Sequence, residues 1–321
     1  MRLGLDLGTT VVRVARDKKG VILQEASVIA DDPTLPEVYT VGNEARAMEG
    51  RTPDHVRALR PLQAGCVAAP MAAREMLRLL LGRALGWRKK LKPFVRVAVP
   101  VTVTKFEQEA LVEALTYAGA GKVEPVPKPI AAAFGIDAEV GAPLAAMVVD
   151  LGGGTTEVAA ISPGIVVCDA VGVGGVDLDR AITAHLRTAH GLEISPEMAE
   201  KIKLGVGSAW SGEGPETFQA AGRELRTLLP LRVEVSAEEI RQAMQGPLER
   251  MVDLVRRTLD RTPPSLSEDV LRRGVVLTGG GAQLRGMDRF MSERLGLEVK
   301  IAPDPTGCVA RGLLLARLGI N

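Results

Sequence analysis

The sequence predicts an α/β fold in which one three-stranded unit occurs twice, and three observations support this prediction. Residues 147–162 consist of an apolar strand, Asp150, three glycines, two threonines and a second strand. Residues 3–14 repeat this order around Asp6. In both copies β-branched residues rather than a helical pattern follow the glycines, and a further tight turn then leads into a third strand. The chain is therefore expected to contain a duplicated strand–turn–strand unit.

The turn of each unit is suited to binding phosphate. Glycines let backbone N–H groups approach a ligand closely, and a run of such amides forms an anion-binding concavity. The aspartate beside each turn would repel a phosphate unless a divalent cation lay between them. Mg²⁺ is usually held by one or two carboxylates together with phosphate oxygens. The two turns are therefore expected to hold one Mg²⁺–phosphate group from opposite sides.

Two other phosphate-binding folds are disfavoured. A P-loop needs a Gly-Lys-Ser/Thr ending that opens a helix, and the sequence contains none. A dinucleotide-binding fold also follows its glycines with a helix. A single Asp-Gly-Gly-Gly segment is equally consistent with an ordinary hairpin turn, and it is the second copy that favours the ligand-binding interpretation.

Composition limits the functional classes. With 321 residues, the chain exceeds one typical core and is expected to form two domains or a duplicated pair. A formal charge of +1 and 3% aromatic residues argue against a nucleic-acid partner. The three cysteines are isolated and show no metal-binding spacing. No segment reaches the ~18 apolar residues that span a bilayer, and Asp6 argues against a signal peptide. We therefore expect a cytoplasmic protein.

The remaining elements of the first half complete a βββαβα order. The apolar spacing of residues 70–85 predicts a helix with one buried face, which includes Met71. Residues 31–60 are rich in Pro, Gly and charge and are expected to form a small inserted subdomain. The other predicted elements are a short helix at 43–48, a strand at 95–101, a helix at 105–118, a strand at 123–126 and a helix of small residues at 129–135.

The second half contains two further glycine-rich turns. Residues 171–176 lead into a helix, so backbone amides there could face phosphate, while Asp177 is foremost a helix cap and only secondly a ligand. The segment Thr278–Gly281 could accept a flat ring against bare backbone, which suits a nucleoside base. Residues 213–235 are predicted to be an exposed segment, either β-rich or irregular, and residues 236–259 to be a helical region that Pro247 divides in two. A C-terminal helix is expected over residues 308–318.

Two alternatives remain open for the loop at residues 86–94. Trp87 and Phe94 enclose four basic residues. The simpler interpretation is a solvated connection between a helix and a strand. The other is a membrane-surface loop, in which the aromatic rings enter the interface and the lysines meet anionic headgroups. One such loop would bind weakly, whereas many copies in a polymer would act together.

The order of these motifs resembles the actin-like ATPases, a superfamily that also contains sugar kinases and heat-shock chaperone ATPase domains. Longer strings are similar to the MreB family, the bacterial actins that organise cell-wall synthesis, and the resemblance covers essentially the whole chain. The strings that carry it are residues 50–53, 60–62, 148–158, 174–177, 276–284 and 304–312.

This resemblance implies a fold and a set of site residues. Two duplicated ribonuclease H-like lobes would enclose a nucleotide cleft. Residues 1–140 would form lobe I, with an insertion at about 30–60, and residues 303–321 would complete it. Residues 141–302 would form lobe II, with an insertion at about 178–265. Asp6 and Asp150 would orient Mg²⁺, and the ATP-binding residues would be Gly8, Thr9, Thr10, Gly152, Gly153, Gly154, Thr155, Gly174, Gly175, Glu200, Lys203, Gly279, Gly280 and Gly281.

The resemblance also implies partners. Family members assemble head to tail into paired filaments on the inner face of the cytoplasmic membrane, where they engage the cell-wall elongation machinery. The implied function is therefore a filament-forming, ATP-binding cytoskeletal protein for cell shape, which could copolymerise with a sister MreB protein. Two alternatives within the same fold stay open: a chaperone-like ATPase and a small-molecule kinase.

The sequence departs from the family pattern in three places. Residues 8–12 and 64–69 lack polar or acidic residues that family members carry there. In residues 127–129, the family's Glu-Glu-Pro has become Pro-Lys-Pro, and Lys128 matches the glutamate that helps to polarise the attacking water. An ammonium cannot accept a proton, and help of this kind is worth ~10²–10⁴-fold in rate. We therefore expect ATP binding with slow or absent hydrolysis.

Overall fold

The structure of the protein, a computed structural model, describes residues 1–31, 39–50, 55–86, 91–136, 146–162 and 165–316. The strands are β1 (Arg2–Leu7), β2 (Val11–Arg16), β3 (Gly20–Ala26), β4 (Ile29–Asp31), β5 (Tyr39–Val41), β6 (Arg57–Leu59), β7 (Leu62–Gln63), β8 (Cys66–Val67), β9 (Phe94–Val99), β10 (Lys122–Pro127), β11 (Ala146–Leu151), β12 (Thr156–Ser162), β13 (Ile165–Val171), β14 (Leu192–Glu193), β15 (Thr217–Glu224), β16 (Pro230–Ser236), β17 (Val275–Thr278) and β18 (Val299–Ile301).

The helices alternate with these strands. They are α1 (Asn43–Met48), α2 (Pro70–Leu85), α3 (Lys105–Tyr117), α4 (Lys128–Gly135), α5 (Gly175–His190), α6 (Pro196–Val206), α7 (Ala237–Asp260), α8 (Pro264–Arg273), α9 (Met287–Leu295) and α10 (Cys308–Leu315), with a 3₁₀ turn at Gly280–Gln283. Two of these helices begin at residues whose sequence pattern is typical of a helix start. Thr104 with Glu107 and Ser236 with Glu239 form capping boxes at α3 and α7.

Two five-stranded sheets repeat one topology. The first has the order β10-β9-β1-β2-β3 and the second the order β13-β12-β11-β17-β18. In each sheet three consecutive strands pair antiparallel, and the first of them also pairs parallel with a later strand. The second sheet is therefore the first one repeated, as the duplicated motif predicts, because the same strand–turn–strand pattern imposes the same pairing. Smaller sheets are formed by β5-β4-β6, β14-β15-β16 and β7-β8.

Helices α4 and α10 pack against each other between the two sheets. One buried cluster contains Val126 in the first sheet, Val148 and Ala159 in the second, Ala132 in α4 and Leu313 in α10. Each sheet also has a larger core of its own. Small residues let α4 and α10 approach closely, so this pair joins the two halves of the molecule. The predicted boundaries of the two lobes stay a prediction.

The structure corrects three details of the sequence analysis. Pro247 does not divide the predicted helical region, since α7 runs unbroken through it and is fixed along its length by buried side chains such as Leu248 and Met251. Met71 is not on the buried face of α2, because it lies in the first turn and is 75% exposed. Asp177 is the third residue of α5 rather than its cap, and its carboxylate accepts a hydrogen bond from the N–H of Gly174 at 2.9 Å.

We predict that Gly312→Ala destabilises the protein strongly. A methyl group at Gly312 would overlap the carbonyl oxygen of Ala131 in α4, and a backbone atom cannot move aside as a side chain can. The free energy of unfolding should fall by about 3 kcal/mol or more. Urea denaturation measures this change.

Gly82→Ala is the matched control, because a Cβ on Gly82 of α2 would have no neighbour within 4 Å in the described part of the chain. This variant should gain roughly 0.5–1 kcal/mol, since alanine restricts the unfolded chain and favours helix. Equal stability of the two variants would contradict the close α4–α10 contact.

Candidate functional site

The two aspartate–glycine turns have the same geometry. The N–H of Gly8 donates to the carbonyl of Val11 at 3.1 Å, and the N–H of Gly152 donates to the carbonyl of Thr155 at 2.8 Å. A Cβ on Gly8 would lie 2.7 Å from that Val11 oxygen, and a Cβ on Gly152 would lie 2.8 Å from the Thr155 oxygen. Each turn therefore closes a hairpin in a way that excludes a side chain at its first residue.

These two turns lie against each other, although they belong to different sheets. A Cβ on Gly153 would lie 2.6 Å from Oγ1 of Thr10, and a Cβ on Gly154 would fall as close to Oγ1 of Thr9. The glycines thus make room for the threonines of the opposite turn. The structure brings together the two segments that the sequence analysis assigned to one ligand.

Asp6 and Asp150 lie at the base of this contact with a lysine between them. The two aspartates are 5% and 1% exposed, respectively. Nζ of Lys128 lies 2.9 Å from Oδ2 of Asp150 and 3.9 Å from Oδ1 of Asp6. Lys128 is the first residue of α4, and its side chain is 13% exposed. The three side chains form a buried cluster of alternating charge.

Neighbouring side chains orient the two carboxylates. Oγ1 of Thr278 donates to Oδ1 of Asp150 at 3.0 Å, and Nη1 of Arg13 lies 3.9 Å from Oδ2 of Asp6. The remaining oxygens, Oδ1 of Asp6 and Oδ2 of Asp150, receive no well-directed hydrogen bond from the described residues. These two oxygens are the ones that Lys128 faces, so the ammonium is their principal neutralising group.

The environment keeps Lys128 charged. Burial alone would lower the pKa of Lys128, but the carboxylates of Asp150, Asp6 and Glu157 outweigh this effect and raise the pKa above its ordinary value. Burial also raises the pKa of Asp6, although the Lys128 ammonium opposes that shift. A cation at the first residue of a helix faces the positive end of the helix dipole, so the ion pairs must hold it there.

Glu157 adds a third carboxylate to the cluster. It is buried in β12, where Oε2 accepts from the N–H of Val101 at 3.0 Å and Oε1 lies 3.4 Å from the hydroxyl of Thr155. Burial raises the pKa of Glu157 to about 7, and the Lys128 ammonium only partly offsets this rise. Glu157 therefore changes its charge near neutral pH.

The turn at Gly174 and Gly175 supports the second hairpin turn. The N–H of Gly175 donates to the carbonyl of Gly152 at 3.0 Å, and that of Val176 donates to Gly153 at 2.8 Å. The N–H of Gly174 is bonded to Asp177. These amides are thus occupied by protein acceptors, so the two glycines shape the site, and a direct phosphate contact from them stays a prediction.

Glu200 and Lys203 lie on one face of α6 but have different partners. Nζ of Lys203 donates to the carbonyl of Gly175 at 3.0 Å and to Oδ2 of Asp179 at 2.9 Å, which ties α6 to the start of α5. Glu200 forms an ion pair with Arg46 of α1, 154 positions away in the chain. Their predicted contacts to ribose and base stay predictions.

The third glycine turn leaves one residue open. Gly279 has a φ of +81°, and a Cβ there would overlap the carbonyl of Leu151. A Cβ on Gly281 would lie 2.8 Å from Cβ of Leu151. Gly280 differs, because no atom of the described residues would lie within 4 Å of its Cβ. Gly280 is therefore the member of this turn with free space for a flat ring.

The two aromatic residues of the loop at 86–94 are placed differently. Trp87 lies outside the described residues. Phe94 is half-buried at the start of β9, where its ring lies 5.7 Å from the Arg96 guanidinium and 5.5 Å from the Lys122 ammonium. Membrane contact by either residue stays a prediction. None of the described helices is long and apolar enough to cross a bilayer.

Comparison with known proteins agrees with this geometry. The family model described as MreB/Mbl protein matches residues 1–318. The chain belongs to the MreB/Mbl family. Among curated members, the cell shape-determining protein Mbl of Bacillus cereus is 38% identical over 311 residues, which cover 97% of this chain and 93% of the relative. The cell shape-determining protein MreB of Escherichia coli is 39% identical over 316 residues, which cover 97% and 91%.

Solved structures show the same fold. MreB5 of Spiroplasma citri bound to ADP superimposes with a TM-score of 0.91 at 31% identity and covers 97% of this chain and 94% of its own. The MamK double helical filament superimposes with a TM-score of 0.80 at 22% identity, covering 98% of each chain. The predicted actin-like ATPase fold of an MreB/Mbl member is therefore confirmed.

The sequence analysis missed several groups at this MreB/Mbl site. It did not single out Thr278, Arg13 or Glu157 as neighbours of the two aspartates. One signal was present for Glu157, since it is an acidic residue inside an otherwise apolar strand directly after the glycine turn. No local signal marks Arg13, whose role depends on the pairing of β1 with β2 opposite Asp6.

We predict that Glu157→Gln changes how stability depends on pH. Between about pH 4.5 and pH 7, folded Glu157 keeps a proton that the unfolded chain has lost, so the free energy of unfolding falls as the pH rises through this window. The variant lacks this titration, and from pH 4.5 to pH 8 it should gain about 3 kcal/mol relative to the unmodified protein.

Urea denaturation at several pH values measures this difference. Glu109→Gln, on the exposed side of α3, is the control and should keep the pH dependence of the unmodified chain. If Glu157→Gln and the unmodified protein lose stability in parallel as the pH rises, Glu157 does not titrate in this way.

Proposed function

We propose that the protein is an ATP-binding, actin-like cytoskeletal protein that polymerises and contributes to cell shape. The observation that carries this proposal is the direct contact between two equivalent hairpin turns from two sheets, with glycines of one turn facing threonines of the other. Such a contact gives one phosphate tail donors from both sides. The curated relatives, which are cell shape-determining proteins, support the same assignment.

An adenine nucleotide is the ligand that this site suits best. MreB5 of Spiroplasma citri has been solved with ADP and with AMPPNP, and both structures superimpose on this chain with TM-scores of 0.91 and 0.90. We infer that the phosphates lie at the two hairpin turns and that the base lies near Gly280, where the backbone is open. Glu200 would contact the ribose only after its ion pair with Arg46 is broken.

We further propose self-assembly and a location at the membrane. The resemblance to the MreB family supports filaments on the inner face of the cytoplasmic membrane that organise cell-wall synthesis together with the elongation machinery or a sister MreB protein. MamK, which has this fold, has been solved as a double helical filament. Trp87 and Phe94 are the candidate membrane contacts.

Hydrolysis is expected to be slow because of Lys128. Its ammonium lies where the family places a carboxylate that polarises water, and the surrounding carboxylates keep it charged. Glu157 cannot readily substitute, because both of its oxygens face protein donors. The protein would therefore act mainly by binding nucleotide.

Polymerisation can be tested by electron microscopy and sedimentation with AMPPNP. We expect filaments from the unmodified protein and none from Gly153→Ala, because the added methyl group displaces Thr10 and separates the two turns. Gly172→Ala is the control, since a Cβ there would meet no described atom within 4 Å. Persistent monomers of the unmodified protein that nonetheless bind nucleotide would exclude the filament proposal.

Single-turnover measurements test the hydrolysis proposal. Lys128→Glu should hydrolyse ATP at least ~10²-fold faster than the unmodified protein, because it restores a carboxylate that can orient water. The proposal fails if the unmodified protein already hydrolyses ATP as fast as other family members and Lys128→Ala abolishes that activity.

A further inference from the structure

Lys128 lies where a cation would be needed to bring nucleotide phosphates close to Asp6 and Asp150. In the family that this chain resembles, Asp6 and Asp150 would orient Mg²⁺. In this structure the ammonium of Lys128 faces the carboxylate oxygens that would do so, at 2.9 Å from Asp150 and 3.9 Å from Asp6. A cation that belongs to the chain itself therefore occupies the space between the two carboxylates.

Lys128 is also close enough to reach phosphate. A Cβ on Gly152 would lie 3.5 Å from its Nζ, which places the ammonium at the first residue of the second hairpin turn. It lines the same small cleft as Gly8, Thr9 and Gly153. Lysine binds phosphate as a compact point charge with three donors. Without moving far, the side chain could therefore contact a phosphate and both aspartates.

The formal charge of the cluster also favours Lys128 as the cation of this site. Replacing the family's glutamate by lysine removes one negative charge and adds one positive charge, a change equal to the charge of one Mg²⁺. A carboxylate at position 128 would add negative charge beside Asp6 and Asp150, and a divalent cation would offset it. With Lys128 in place, the cluster reaches the same formal charge without metal.

The residues present do not fit Mg²⁺ well. The two carboxylates are suitable oxygen donors, but Mg²⁺ demands near-octahedral coordination at about 2.0–2.1 Å and keeps several of its waters. The ammonium lies within hydrogen-bond distance of Asp150 in that space. Two cations in one buried site would repel each other strongly, since nearby charges interact more in the protein interior than in water.

We propose that Lys128 replaces Mg²⁺ at this site, so that the protein binds the phosphates of ADP and ATP without a divalent metal ion. This inference rests on the proposed nucleotide binding. Lys128 bridges the nucleotide phosphates to Asp6 and Asp150, as a metal ion does in a metal-dependent site. The exchange of glutamate for lysine then accounts for both slow hydrolysis and metal independence.

Calorimetric titration of the unmodified protein tests this proposal directly. ADP and AMPPNP are each titrated in EDTA and in excess Mg²⁺. We expect the affinity in EDTA to be at least as high as in excess Mg²⁺, because the tethered ammonium supplies the phosphate contact and Mg²⁺ only depletes the metal-free nucleotide. A loss of more than about tenfold in EDTA would overturn the inference and leave the proposed function standing. Absence of binding in both buffers would refute the proposed function itself.

Substitutions at Lys128 add a second test. Lys128→Glu should bind nucleotide only with Mg²⁺, and Lys128→Gln should lose at least about tenfold in affinity in EDTA, because neither side chain is a cation. Lys105→Ala, at a 91% exposed position on α3, is the control and should behave as the unmodified protein. If Lys128→Gln binds in EDTA as tightly as the unmodified protein, Lys128 is not the cation.

Paramagnetic resonance of Mn²⁺ reports on metal binding without hydrolysis. Adding the unmodified protein to a solution of Mn²⁺ and ADP should not lower the concentration of free Mn²⁺. Adding Lys128→Glu should lower it, because this variant binds the metal ion. Tight Mn²⁺ binding by the unmodified protein in the presence of ADP would contradict the proposal. Because it is made on the unmodified protein, this measurement tests the proposal even if Lys128→Gln does not fold.

Discussion

The contact between the two hairpin turns is the constraint on which the site depends. Each turn is closed by one hydrogen bond from its first glycine, and the two turns fit together because Gly153 and Gly154 leave space for Thr10 and Thr9. This contact is held from behind by α4 and α10, which pack backbone to backbone between the sheets.

A buried charge cluster lies directly under this contact. Removing one member of a buried ion pair leaves an uncompensated charge, which typically costs 3–5 kcal/mol. Lys128 is therefore important for the stability of the fold as well as for ligand binding. Because α4 carries both Lys128 and the small residues that face α10, the helix couples the charge at the phosphate turns to the packing between the two halves.

The local patterns and the meeting of the two repeated turns could be predicted from the sequence, but the ion pairs between distant elements could not. The two strand–turn–strand units and the helix at residues 70–85 follow from periodicity and glycine spacing within short windows. The ion pair of Lys128 with Asp150 depends on how α4 lies against the second sheet, which no local pattern encodes. The same holds for Arg46 with Glu200, and Pro247 was misjudged because tertiary packing outweighed its local preference.

We infer that both turns bind one nucleotide. A crystal structure grown with AMPPNP in EDTA tests it most directly. We expect the β- and γ-phosphates between Gly8–Thr10 and Gly152–Gly154, with Nζ of Lys128 within hydrogen-bond distance of a phosphate oxygen. A nucleotide bound elsewhere, or phosphates that contact only one of the two turns, would contradict the account.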